Sequence, residues 1–203
     1  MIHYYTSKLL ATGGLLYPLR RNGMQNCARM SGSTSAFPDY FVILGVGRTF
    51  TQSPDELKAK YKSLMTRVHP DRHTTSCEEI KSQNASMAAD VTRAYNVLED
   101  PLSRALHLLD LHGQGIGESD SSIVNSSILM EIMEAREEVE NASTDDELRP
   151  LLRSCQIRQS ELCRDLEKSF GDDRVDDAKI QTAKLQYWKR IEETIMEKIS
   201  TVE

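Results

Sequence analysis

From residue 53 onward, apolar residues recur every three or four positions, the spacing of helices with one buried face. In "SPDELKAKYKSLMTRVH", Leu57, Tyr61, Leu64, Met65 and Val68 form one stripe. Ser53 suits the N-cap, Pro54 the first helical position, and Glu56 follows the serine by three residues. Pro70 predicts the end of this helix, because proline disfavours the helical conformation in the residue before it. Beyond a polar loop (Arg72–Cys77), a second helix shows Ile80, Met87, Val91, Ala94, Tyr95 and Leu98, and stops before Pro101. "LSRALHLLDLHG" predicts a shorter helix closed by Gly113, and "FPDYFVILGV" (Phe37–Val46) is a short apolar element that opens the folded part. Two antiparallel helices with facing stripes make a hairpin, here with "RVHPDRH" at its tip.

Gly113–Ser122, "GQGIGESDSS", is a linker by composition. Three helices follow, at roughly 123–141, 144–170 and 173–200 by their periodicity. The middle one carries Leu148, Leu152, Cys155, Leu162, Leu166 and Phe170 on one narrow stripe and is expected to end at Gly171. The last carries Leu185, Trp188, Ile191, Ile195 and Ile199. The first is ambiguous. Ile128, Ile132, Ala135 and Val139 make a sufficient inner face, yet Leu129, Met130 and Met133 lie roughly 100–200° away on the helical wheel. Periodicity leaves two readings open: a helix buried on both sides, or an exposed apolar patch that marks a partner site. Methionine suits such a patch because its side chain is deformable. Tyr187, about 100° from Trp188, is positioned to complete the patch from the last helix.

Composition supports an all-α protein: aromatics are 6% and charged residues 28% of the 203-residue chain, a mixture that favours helix over sheet. No apolar run approaches the ~18 residues needed to span a bilayer, so no membrane association is expected. The four cysteines, Cys27, Cys77, Cys155 and Cys163, form no C-x-x-C pair and no zinc-ligand spacing. Neither a disulfide framework nor a metal or other cofactor is expected. Charge is uneven. Residues 1–38 hold no Asp or Glu but carry Lys8, Arg20, Arg21 and Arg29. Of 25 Lys+Arg in the chain, those four set aside, the 31 Asp+Glu outnumber the rest by about ten. A basic, hydroxyl-rich, acid-free leader on an acidic body reads as a mitochondrial transit peptide, residues 1–35, and places the mature chain in the matrix. The acidic body argues against a nucleic-acid partner, which would want a basic patch.

His69-Pro70-Asp71 invites three readings. His and Asp are the residue types of a general base and its orienting acid, but no nucleophile, phosphate loop or oxyanion motif accompanies them. His73 is near, yet no carboxylate or thiol spacing completes a metal site. A proline-stopped helix with a solvated loop is the third reading, and for an isolated tripeptide it would suffice.

The flanking sequence changes this balance. A basic helix ending in HPD, a polar loop, and a helix ending "AYNVLEDPLSR" resembles the J domain of DnaJ-class co-chaperones over about residues 37–105. That resemblance implies a surface that docks on a DnaK-type ATPase chaperone and stimulates its ATP hydrolysis. His69, Pro70 and Asp71 would act as the trigger, with Lys58, Lys60, Lys62 and Arg67 as the steering face. Followed by "LHG", a linker and "ILMEIMEAREEV…KLQYW", the chain resembles the HscB/Jac-type co-chaperones of iron–sulfur cluster biogenesis over nearly all of residues 37–200. The resemblance implies that Leu129, Met130, Met133 and Tyr187 bind the cluster scaffold protein. Gln186 stands where bacterial members have arginine, and the zinc-binding C-x-x-C pair of some eukaryotic relatives is missing. The expected architecture is all-α and L-shaped: a J domain with its connecting helix (36–112), a linker (113–122) and a three-helix bundle (123–203). It is expected to be a non-enzymatic co-chaperone that delivers the scaffold to a mitochondrial DnaK-type chaperone. The alternatives are a J-protein with an unrelated client and a small hydrolase using His69 and Asp71.

Overall fold

A computed structural model describes residues 38–68, 78–117 and 125–202, where all regular structure is helical. The leader, His69–Cys77 with the HPD tripeptide, and residues 118–124 of the linker region lie outside the described residues. In chain order the helices are α1 (Tyr40–Leu44), α2 (Pro54–Val68), α3 (Glu78–Glu99), α4 (Pro101–Leu111), α5 (Ser126–Asn141), α6 (Asp145–Gly171) and α7 (Val175–Val202).

α1 is held at both ends. The Asp39 carboxylate accepts from the Phe41 and Val42 N–H groups at 3.0 and 3.3 Å, and Gly45 takes the left-handed conformation (φ 68°) that lets the chain turn away. Phe41 and Leu44 are buried. α2 and α3 form the expected hairpin: the Tyr61 and Tyr95 rings stack 4.6 Å apart, and Thr92 meets Met65. Extending that pairing sets Val68 opposite Ala88 or Ala89. Ile80 and Met87, expected in the hairpin core, therefore lie past the end of α2 and are 44% and 53% exposed. α3 has 22 residues against 15 in α2, so its first turns outrun their partner.

Asp100 caps α4 by accepting from Ser103 N–H at 2.9 Å, Pro101 takes the first helical position, and Gly113 (φ 71°) follows the last turn. α4 buries two polar side chains. Arg104 donates to the carbonyls of Leu98 (2.7 Å), Phe50 (2.7 Å) and Glu99 (3.0 Å). His107 Nε2 accepts from the Tyr40 N–H at 3.1 Å, between the rings of Tyr40 and Phe41. That bond assigns the proton to Nδ1 and makes the imidazole neutral.

In the bundle, α6 packs along α7 and buries Leu148, Cys155, Leu162 and Leu166 against Leu185, Trp188, Ile191 and Ile195. Glu147 reaches back to the Ser143 and Thr144 N–H groups at 2.8 and 3.2 Å, which fixes the start of α6. α6 ends at Gly171, as expected. In the turn that follows, the left-handed position falls on Asp173 (φ 57°). Aspartate tolerates that conformation better than most side chains. Phe170 differs from expectation: its ring stacks on Phe50 at 5.7 Å, joining the bundle to the loop before α2. Lys189 adds an ion pair to Asp100 at 3.0 Å.

Burial holds the His107 pKa below the usual 6.5, against the pull of Asp39 and Asp110. The native state thus binds fewer protons than the unfolded chain in this range. Stability from this group is complete above the ordinary histidine value and is lost as the pH falls through it toward the native pKa. Melting temperatures from pH 7.5 to 5 should drop more steeply for wild type than for His107→Gln. Parallel profiles would contradict the neutral assignment.

Candidate functional site

Two surfaces stand out. The first is α2. Its stripe of Leu57, Tyr61, Leu64, Met65 and Val68 faces inward, and Lys58, Lys60, Lys62 and Arg67 are all exposed. Lys58 and Lys62 flank the stripe on one side, Lys60 and Arg67 on the other. Asp55 and Glu56 occupy the first turn and Arg67 the last, so positive charge grows toward the C-terminal end. That polarity complements the helix dipole and stabilises α2. The HPD tripeptide follows directly in sequence but lies outside the described residues.

The second surface is on α5. Ile132 and Val139 are buried and Ile128 and Ala135 partly so, while Leu129, Met130 and Met133 are 36%, 64% and 69% exposed. Of the two readings that periodicity left open, burial on both sides does not hold. Glu131, Ala135 and Glu138 leave the inner stripe on the side facing α6, where Glu131 Oε1 meets Arg158 at 2.7 Å. Leu129 and Met133 leave it in the opposite sense, toward α7. Two observations fix the height of Tyr187. Lys198 of α7 reaches the carbonyls of Val139 and Glu140 in α5 and of Ala142 just after it, and Gln181 and Lys184 share a cleft with Ile128 and Glu131. Helices α5 and α7 therefore run parallel, and Tyr187 stands at the level of Ile132 and Met133. It is eleven residues from Lys198, about three turns, so it points to the same α5 side of α7. Tyr187 is half-buried, with the Arg190 guanidinium 6.0 Å from its ring centre. Helical geometry thus puts Tyr187 on the α5 side of α7 near the level of Met133, while Leu129, Met130 and Met133 are exposed on α5.

Other chemistry is sparse. Among the described residues, no group of three or more His, Cys, Asp or Glu side chains is placed to hold a metal ion, and no helix is long and apolar enough to cross a membrane. Burial raises the thiol pKa of both Cys155 and Cys163, so neither is primed as a nucleophile. A cleft of about 420 Å³ separates α5 from α6, with Val139, Leu151, Trp188, Ile191 and Ile195 among its lining residues.

Residues 39–107 match the family model of the DnaJ domain, and residues 124–196 match that of the HSCB C-terminal oligomerisation domain. The human iron-sulfur cluster co-chaperone protein HscB is 31% identical over 157 residues, covering 77% of this chain and 67% of that protein. The chain belongs to the HscB family. The Arabidopsis thaliana iron-sulfur cluster co-chaperone protein HscB homolog is 29% identical over 161 residues, 79% of this chain. The chain spans 64% of that plant relative's length. The crystal structure of the human HscB co-chaperone superposes with a TM-score of 0.76 at 28% identity, covering 93% of this chain and 96% of that one.

In this HscB-family chain, sequence patterns missed the polar groups that tie the helices together. Nothing in the spacing singles out Arg104, Lys189 or Lys198 as buried or tied to another helix. The one available signal was Arg104, set in a helix that is apolar on most sides around it.

The exposed face can be separated from the core by stability. Leu129→Ala/Met130→Ala/Met133→Ala should melt within a few degrees of wild type. Ile132→Ala alone should cost about 2–5 kcal/mol, the usual loss for a buried aliphatic side chain. Thermal melts of the two variants decide it, and the reverse order would return the three residues to the core.

Proposed function

We propose that this chain is a co-chaperone of iron–sulfur cluster assembly that gathers the cluster scaffold protein on its bundle and brings it to a DnaK-type chaperone at its J hairpin. The observation that carries this reading is the pairing, in one chain, of a cationic α2 leading to HPD with an exposed apolar face on α5. The cationic α2 would steer the hairpin toward an acidic surface on the chaperone. His69, Pro70 and Asp71 would then act in trans, on the partner's ATP hydrolysis, so the chain itself performs no turnover. Leu129, Met130, Met133 and Tyr187 would anchor the scaffold, since a few apolar and aromatic residues carry most of an interface's energy. Holding both partners on one chain raises the effective concentration of scaffold at the chaperone.

The trigger is tested by single-turnover ATP hydrolysis. His69→Gln and Asp71→Asn should each abolish stimulation of the chaperone and leave scaffold binding unchanged. Stimulation near wild type in both variants would overturn the J-domain role. A scaffold that fails to bind the wild-type chain in calorimetric titration would overturn the client assignment.

The acid-free leader supports a matrix location. Isolated mitochondria should import the full chain and fail to import one lacking residues 1–35, while the truncated chain keeps chaperone stimulation. Equal import of both would remove this placement.

A further inference from the structure

α5 is poorly terminated by its own sequence. Its last turns hold Glu137, Glu138 and Glu140, and no basic residue occupies its final turn. Carboxylates at a helix C-terminus oppose the helix dipole, and the last carbonyls there lack intrahelical donors. The missing cation comes from another helix. Lys198 Nζ of α7 donates to Val139 O at 2.7 Å, Glu140 O at 2.9 Å and Ala142 O at 3.1 Å. An ammonium has three donors, and all three are used here.

The rest of α5 offers little to replace this tie. An open cleft separates α5 from α6, bridged by the Glu131–Arg158 ion pair. Both partners of that pair are about 40% exposed, so it contributes little. Deep burial is confined to Ile132 and Val139, and Lys198 grips the carbonyl of Val139 itself. The tie therefore fixes the rotation of α5 and its height along α7. Those two quantities set where Leu129 and Met133 stand relative to Tyr187.

We propose that Lys198 is a positioning residue for the scaffold-docking face, holding α5 in register with α7 so that Leu129, Met133 and Tyr187 form one surface. The proposal rests on the scaffold-binding reading above and adds to it a residue outside the face.

The test uses the full chain with Lys198→Met and Lys198→Arg, titrated calorimetrically with the purified scaffold. Lys198→Met should raise Kd by about fivefold or more, and Lys198→Arg, which keeps a cationic donor, should restore it to within about twofold. Client-free stimulation of the chaperone should be the same in all three proteins. On a Met133→Ala background, Lys198→Met should add less than about a further twofold, because its effect passes through the same face. Trp188, the chain's one tryptophan, lines the α5–α6 cleft and reports on α5 directly. Its emission should shift in Lys198→Met and recover in Lys198→Arg. Wild-type affinity and unchanged Trp188 emission in Lys198→Met would overturn the proposal. So would full additivity with Met133→Ala, or a melting loss that also removes chaperone stimulation. If the wild-type chain binds no scaffold, the functional reading fails and the docking role with it. Trp188 emission and amide exchange at Val139–Ala142 would then show separately whether Lys198 holds α5.

Discussion

The corner between α3 and α4 depends on one buried guanidinium. Pro101 ends α3, and the carbonyls of Leu98 and Glu99 need donors there that the helix cannot supply. Arg104 supplies both, and its remaining arm bonds Phe50 O while the guanidinium lies 5.5 Å from the Phe50 ring centre. A planar fork of five donors can serve three carbonyls at once, and lysine could not reproduce that geometry. Burial lowers the Arg104 pKa, yet arginine stays charged, so its cost must be met by those bonds. Two ties between the hairpin and the bundle are nearby. Phe50, fixed by Arg104, stacks on Phe170 of α6. Asp100, four residues before Arg104, meets Lys189 of α7. Burial pushes the Asp100 carboxyl up, but the bonds from Ser103 and Lys189 bring it net below the ordinary range, as expected for a cap that must remain charged.

The helices were legible because their apolar spacing, caps and breakers agree with one another. Ser53, Pro54 and Pro101 marked boundaries that the fold keeps. The inner stripes of α2, α6 and α7 are also those the sequence shows. Errors arose where spacing is silent about neighbours. Ile80 and Met87 continue the α3 stripe in perfect register, but burial needs a partner at the same height, and α2 has ended there. α6 does stop at Gly171, but spacing did not show that the left-handed bend after it is made by Asp173 rather than by the glycine. Phe170 belonged to the α6 stripe by spacing but does its packing across the joint.

The polar ties were not legible for a different reason. A lysine on a helix reads the same whether its ammonium meets water or a neighbour's carbonyls. Lys189 and Lys198 differ from other exposed-looking lysines by what another part of the chain places opposite them. Long-range polar pairs have no local signature, and single-sequence periodicity cannot supply one.

α5 shows what the proposed recognition surface asks of a small bundle. α6 buries Leu148, Cys155, Leu162, Leu166 and Ser169, whereas α5 buries Ile132 and Val139. The apolar residues that could have deepened the α5 core, Leu129, Met130 and Met133, face outward instead. Hydrophobic surface cannot be both core and docking face, so in the proposed docking role each of these side chains would add to recognition only by being withheld from folding. A helix with so narrow a core must be fixed by other means. Directional polar bonds suit that need, since they set rotation and height without covering the outer face. This explains why the α5 terminus is gripped through backbone carbonyls rather than side chains. The grip leaves the sequence of the outer face free to match a partner.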